Sequence, residues 1–184
     1  MAAARVFGLG YFDFTEVSPF YDRLMIPLRS VYGDLLSFQG RALYDYAAEN
    51  KPKYYHQSFE KSSILYGLYE NAEWIWNSGY AVMVEGPLDV ISLYDANVPA
   101  FALLGTTFCS GQAWLIRRYT DRTISWLDDD AAGQKATELA QSLLTPLGMR
   151  MEFVSKHRSF KDAGETWQKA GFDGIRRVLN ELSS

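Results

Sequence analysis

The sequence predicts an α/β protein: a parallel sheet flanked by helices, preceded by a small mixed N-terminal lobe. Three observations carry this. From residue 80 onward, short apolar runs alternate with helix-like segments across short connections, as repeated strand–helix units do. Two of the runs, Ala81–Val84 and Ile124–Leu127, break off in carboxylates and a glycine. Buried parallel strands look like this, apolar on both faces with polar chemistry held at the carboxyl end. Before residue 64 the chain instead shows strand-length apolar pieces separated by turn residues. The expected division is a basic N-terminal lobe over residues 1–63 and an α/β domain over 64–184.

In order, residues 1–22, with Gly8, Gly10, Pro19 and scattered aromatics, have no clean period and are expected as an irregular arm. Leu24–Leu28 and Leu35–Phe38 flank a turn at Gly33 and predict a hairpin. Ala42–Asn50 fits a short helix or a loop, and Lys51–Ser58 reads as extended. Leu65–Tyr69 and Ala72–Trp76 predict a helix closed by Asn77-Ser78-Gly79. Strand Tyr80–Val84 then precedes helix Pro87–Tyr94, with the proline suited to a first turn. Strand Ala100–Leu104 leads through Gly105-Thr106-Thr107 to helix Gly111–Tyr119, and strand Thr123–Leu127 leads to helix Ala131–Leu144. Strand Met149–Val154 is followed by a polar loop and helical Phe172–Leu182.

The bulk numbers exclude several classes. A chain of 184 residues with 48% hydrophobic content can bury one substantial core. A net charge of −4 argues against holding nucleic acid by global charge. Locally the balance differs: Arg23 to Lys61 carries six basic residues against four acidic, whereas Glu85 to Asp130 carries seven acidic against three basic. The single cysteine, Cys109, excludes intrachain disulfides, and with His56 and His157 the only histidines no zinc is expected. No apolar run approaches the roughly 20 residues that span a bilayer. The opening Met-Ala-Ala-Ala-Arg lacks a signal-peptide core, so a cytoplasmic protein is expected.

Chemistry concentrates at the strand ends. On a strand over 123–127, Asp128 and Asp130 point to one side and Asp129 away. Two such carboxylates suit a hard ion such as Mg²⁺, and the same acids suit a helix N-cap. The direct passage from a buried strand into three acids favours the metal. Glu85-Gly86, with Asp89 four residues on, offers a general base or a further ligand, or the acids of an ordinary strand-to-helix turn. Gly105 and Thr106 either present N–H groups to a phosphate or form a plain turn. Arg23, Arg41, Lys53 and Lys61 either track a nucleic-acid backbone, with Tyr54 or Tyr55 stacking a base, or are solvated surface charges. Asp162, after the last strand, is a third acid at the sheet edge or a loop residue.

Taken together and in order, these pieces resemble the catalytic core of bacterial-type (DnaG-like) replicative primases, built on the Toprim fold. The similarity covers residues 21–165. Its motifs are the strand Arg23-Leu24-Met25-Ile26-Pro27-Leu28, Phe38-Gln39-Gly40-Arg41, Pro52-Lys53-Tyr54, and Lys61 followed by Leu65-Tyr66-Gly67-Leu68. Behind them come Glu85-Gly86-x-x-Asp89, Leu104-Gly105-Thr106, Asp128-x-Asp130-x-Ala132-Gly133 and Lys161-Asp162. The resemblance implies a DNA-directed RNA primase that joins ribonucleoside triphosphates into short primers on single-stranded DNA, using Mg²⁺ or Mn²⁺. By position, Asp128 and Asp130 would hold metal, with Asp89 and Asp162 nearby. Glu85 would be a ligand or the base for the attacking 3′-hydroxyl. Arg23, Arg41, Lys53, Tyr54 and Lys61, with Gly105 and Thr106, would contact template and nucleotide.

The sequence departs from the family in places. Asp129 stands where glycine is usual, Ala131 where a basic residue is common, and Pro87-Leu88 replaces an aromatic-Met pair. The family's zinc module and helicase-binding region have no counterpart in the sequence, so an excised core or a minimal phage-encoded primase is expected. Its partners would be a replicative helicase and a separate zinc-binding module. A metal-dependent Toprim nuclease and a non-catalytic nucleic-acid-binding module are the competing readings.

Overall fold

A computed structural model of the chain describes residues 2–14, 17–43, 47–48, 50–60, 62, 64–105, 107–154 and 160–183. Two four-stranded sheets organise it. The first is antiparallel, in the order β1 (Gly10–Phe12), β2 (Arg23–Arg29), β3 (Leu35–Ala42) and β4 (Tyr54–His56). The predicted hairpin is its centre, with Pro27 opposite Phe38. β1 pairs only with Arg23–Met25, so β2 is open on that side from Ile26 onward, where a strand tolerates proline.

The second sheet is parallel, in the order β6-β5-β7-β8, where β5 is Ala81–Val84, β6 Ala100–Ala102, β7 Arg122–Ser125 and β8 Arg150–Phe153. Successive residues of β5 feed opposite layers, as strand alternation requires. Val82 and Val84 join one apolar cluster with Ala3 of helix α1 (Ala2–Val6), Val90 and Leu93 of α3 (Pro87–Asp95) and Ile175 of α6 (Ala163–Asn180). Ala81 and Met83 join the other, with Leu68 and Ile75 of α2 (Leu68–Ser78), Ala113 and Ile116 of α4 (Ser110–Arg117) and Ala136 and Ala140 of α5 (Ala131–Leu144). The first cluster also takes in Ile26 and Leu28 of β2, and Tyr66 bridges to Ala102 at the edge of the parallel sheet. One core therefore passes from the antiparallel sheet to the parallel one.

Strands β5 and β7 are neighbours, yet α3 and α5, which follow them, pack on opposite faces. The gap beyond their carboxyl ends is thus a topological switch point, where open α/β sheets form ligand crevices.

The structure departs from the sequence expectation at both ends. The arm over 1–22 holds α1 and β1. Both are too short to show a period, and α1 is held by burial of Ala3 and Phe7. The last helix starts at Ala163, not Phe172, with Asp162 capping it and a break at Gly171 (φ 59°, ψ −153°). Its first half is polar enough to read as loop. Strand β7 stops at Ser125, so alternation does not govern Asp128 and Asp130. Of Ala42–Asn50, residues 44–46 and 49 lie outside the described residues.

Candidate active site

The switch point gathers the acids. Glu85 follows β5 directly, and Asp89 sits in the first turn of α3. Asp128 and Asp130 lie between β7 and α5, and Asp162 stands at the start of α6. Asp128 is seated in the fold, its side chain 15% exposed, and its Oδ2 lies 2.6 Å from Lys161 Nζ. Gly133 makes this seat possible: a Cβ there would lie 2.1 Å from the Asp128 carbonyl oxygen. Asp130 Oδ1 accepts the N–H groups of Ala132 (3.0 Å) and Gly133 (2.9 Å), capping α5. Asp162 Oδ1 likewise accepts Glu165 N–H at 2.6 Å, capping α6. Asp89 Oδ1 accepts Gly164 N–H at 2.9 Å, which ties α3 to the start of α6.

The electrostatics follow from crowding. Burial, then the charge of Asp162, and further that of Asp128, push Asp89 up to about 6, against the N–H groups of Gly164 and Gly86. Burial, then Asp128 and Asp130, and more weakly Asp162, push Glu85 above the usual carboxylate range, opposed by Lys161. Both carboxyls are poised nearer neutrality than free acids, the condition under which a carboxylate serves as a general base. The chain leaving β6 runs beside Glu85, since Leu104 N–H donates to the Glu85 carbonyl at 3.1 Å. Leu104 takes a left-handed conformation (φ 61°), a strain that a bulky residue bears only where its surroundings impose it.

The donor set suits a hard divalent cation, because its ligands are all carboxylate oxygens and a dication relieves their mutual repulsion. Among the described residues no three acids form a ready ligand cage. Asp130 and Asp162 are turned into helix caps and Asp128 toward Lys161. The fit is therefore to an ion that keeps most of its waters and takes one or two carboxylates, and Asp128 and Glu85 are the acids not used as helix caps or helix ties that could hold it.

The antiparallel sheet supplies the opposite charge. Arg41 Nη1 donates to Tyr54 Oη at 2.8 Å, and its guanidinium carbon stands 5.1 Å from the Tyr54 ring centroid. Lys53 Nζ stands 6.0 Å from the same ring. Burial raises the Tyr54 hydroxyl's proton affinity, Arg41 opposes it, and the carboxylates of Asp89 and Asp162 add to it. Those two carboxylates, from the far lobe, thus act on the same hydroxyl that Arg41 holds.

The predicted site residues divide accordingly. Glu85, Asp89, Asp128, Asp130 and Asp162 come together, and Arg41, Lys53 and Tyr54 share one patch beside them. Gly105 (φ 139°) follows Leu104 after β6. Lys61 and Thr106 lie outside the described residues. Arg23 is corrected: it is 2% exposed, and its guanidinium donates to the carbonyls of Pro19 (2.8 Å), Gly40 (3.4 Å) and Lys53 (3.3 Å). It staples β2, β3 and the approach to β4 and presents nothing to a template. Tyr54, half-buried and bonded to Arg41, positions that guanidinium more than it offers a stacking face. Lys161 joins these acids beyond the residues the sequence assigns to the site, its signal being a lysine directly before Asp162 after the last strand.

Residues 6–72 match the family described as DNA primase catalytic core, N-terminal domain, and residues 82–167 match the Toprim-like family. The DNA primase of Aquifex aeolicus is 31% identical over 166 residues, covering 88% of this chain and 32% of the relative. That of Synechococcus elongatus is 37% identical over 189 residues, covering 97% of this chain and 26% of the relative. The chain thus spans roughly a third or less of the curated relatives it matches. The crystal structure of the Aquifex aeolicus primase (zinc-binding and RNA polymerase domains) superposes with a TM-score of 0.82 at 28% identity, over 97% of this chain and 52% of that one. A DnaG primase catalytic domain bound to single-stranded DNA gives 0.75 at 27%, over 97% and 57%. The two family matches, in this order along one chain, show that it belongs to the bacterial-type (DnaG-like) DNA primase catalytic cores, with a Toprim-like domain behind the primase-core N-terminal domain.

Proposed function

We propose that this chain is the catalytic core of a DNA-directed RNA primase, joining ribonucleotides into short primers on single-stranded DNA with Mg²⁺ or Mn²⁺. The observation that carries the reading is the pairing, in one chain, of a carboxylate cluster at the end of the parallel sheet with an Arg41–Tyr54–Lys53 patch on the antiparallel sheet, in the stretch that matches the primase-core N-terminal domain. A nuclease needs the acids and a contact to one nucleic acid. Templated joining also needs a cationic surface to hold template and triphosphate next to them, and Arg41 and Lys53 supply one.

Nucleotidyl transfer requires an aligned 3′-hydroxyl and neutralisation of the charge that builds on the transferring phosphate. A divalent ion at Asp128 and Glu85 would supply that neutralisation and align the hydroxyl. In the alternative role, with the ion on Asp128 alone, Glu85, whose proton affinity is raised by burial and the neighbouring acids, is suited to take the hydroxyl's proton. Asp89 and Asp162 set the field around it and lock α3 to α6. Arg41, fixed by Tyr54, and the exposed Lys53 hold the phosphates of template or nucleotide, and Lys61 and Thr106 join them in this reading. A replicative helicase and a separate zinc-binding module are the proposed partners, in the host cytoplasm if the chain is phage-encoded.

The test is incorporation of labelled ribonucleotides on single-stranded DNA with Mg²⁺ or Mn²⁺, with helicase and zinc module added in trans. Template-length-limited RNA product is expected. Metal-dependent degradation of labelled DNA without incorporation would overturn the reading in favour of a nuclease.

A further inference from the structure

Lys161 enters the acidic end of the sheet from the turn before α6. Its backbone is pinned there: its N–H donates to Glu165 Oε2 at 2.8 Å, and the next residue caps the helix. Its ammonium, by contrast, hangs on a flexible four-carbon stem. Nζ reaches to 2.6 Å from Asp128 Oδ2, with the Lys161 side chain 58% exposed and that of Asp128 15%. A solvent-side cation thus reaches in to a carboxylate that is itself seated in the fold. Its influence extends further, because Asp162 and Asp130 act on the ammonium and the ammonium acts on Glu85. Where every acid repels its neighbours, this charge offsets them.

The primase reading places a divalent ion on the same carboxylate. A hard ion binds carboxylate oxygens directly. An ammonium left on the other side of one carboxylate would then face a dication a few ångströms away, and like-charge repulsion would expel it. The exposed stem gives it somewhere to go, and the pinned backbone keeps it at the mouth of the site. Resting on that reading, we propose that Lys161 is the built-in counter-ion of the metal-free site, its ammonium competing with the divalent cation for Asp128 and leaving when the metal enters.

Competition has a signature that a structural role lacks: removing the ammonium improves metal binding. Mn²⁺ binding to the full chain, measured by titration calorimetry at fixed pH and ionic strength, reads it without any turnover. Lys161→Met is expected to bind Mn²⁺ about three- to tenfold more tightly, the range set by a partly exposed, charge-assisted ion pair. Without metal it is expected to melt roughly 1–3 °C lower, because the acids lose their counter-ion. Lys161→Arg, which keeps the charge, is expected to bind Mn²⁺ within about twofold of the parent. Lys161→Gln serves the same comparison should the methionine variant fold poorly. Equal or weaker Mn²⁺ binding by folded Met and Gln variants overturns the proposal and leaves the metal site standing. Absence of Mn²⁺ binding by the parent and the variants alike overturns the metal site and the counter-ion together.

Discussion

Gly133→Ala puts the seat of Asp128 under direct strain. The added Cβ would lie 2.1 Å from the Asp128 carbonyl oxygen and 3.0 Å from its carbonyl carbon. A carbon–oxygen contact settles at about 3.3 Å, so the loop or the first turn of α5 must move by about 1 Å. The obstacle is backbone, which cannot rotate aside, so the cost sits at the upper end of the over-packing range of about 1–3 kcal/mol. Better helix propensity returns at most about 1 kcal/mol. The net expectation is a loss of about 2 kcal/mol, or roughly 4–8 °C in melting temperature for a chain of this size. Misplacing Asp128 by about 1 Å is expected to cost about 100-fold in nucleotide joining. Thermal denaturation by circular dichroism and primer-synthesis rates check both. Gly111→Ala is the control, because its Cβ meets nothing nearer than the Ser62 carbonyl at 3.5 Å. A Gly133→Ala protein that melts and turns over like the parent would refute the seat inferred for Asp128.

Two further outcomes follow from the geometry. Asp89 is raised to about 6 in the folded protein. Between the unfolded value near 4 and that value the folded state binds the extra proton, so metal-free stability falls as pH rises through this window, by at most about 3 kcal/mol. Asp89→Asn keeps an acceptor for Gly164 N–H and is expected to lessen the decline, Glu85 supplying part of what remains, seen as a smaller fall in melting temperature from pH 4 to 6 in EDTA. The two arginines should separate cleanly. Arg23→Met strips donors from three carbonyls, one buried and two part-buried, and is expected to cost about 2 kcal/mol in urea unfolding. Arg41→Ala is expected to leave stability within about 1 kcal/mol and to lower the salt slope of single-stranded DNA binding by about 0.7, one phosphate contact.

The parallel half was legible because its strands are apolar throughout and its turns are marked. Glu85-Gly86-Pro87 and Asp130 before Ala131 announce a strand end and a helix start, and the structure puts both there. The same marks predicted which carboxylates would meet, since β5 and β7 are neighbours. What the sequence hid is what depends on tertiary packing. Helix α1 has five residues and β1 three, each existing only because Phe7 or β2 receives it. Arg23 read as a surface cation because nothing local says that Pro19, Gly40 and Lys53 turn their carbonyls to it. Asp128 and Asp130 looked equivalent, and only the loop conformation makes one a helix cap and the other a seated acid.

In the primase reading, Asp128 and Glu85 at the switch point, and not the acids generally, carry metal-dependent ribonucleotide joining. Dinucleotide synthesis on single-stranded DNA with Mn²⁺, compared among the parent, Asp128→Asn, Glu85→Gln and Asp129→Asn, separates the two. Asp128→Asn and Glu85→Gln are expected to lose about 100-fold or more while remaining folded, and Asp129→Asn to stay within about threefold of the parent. Undiminished product from folded Asp128→Asn and Glu85→Gln would contradict it.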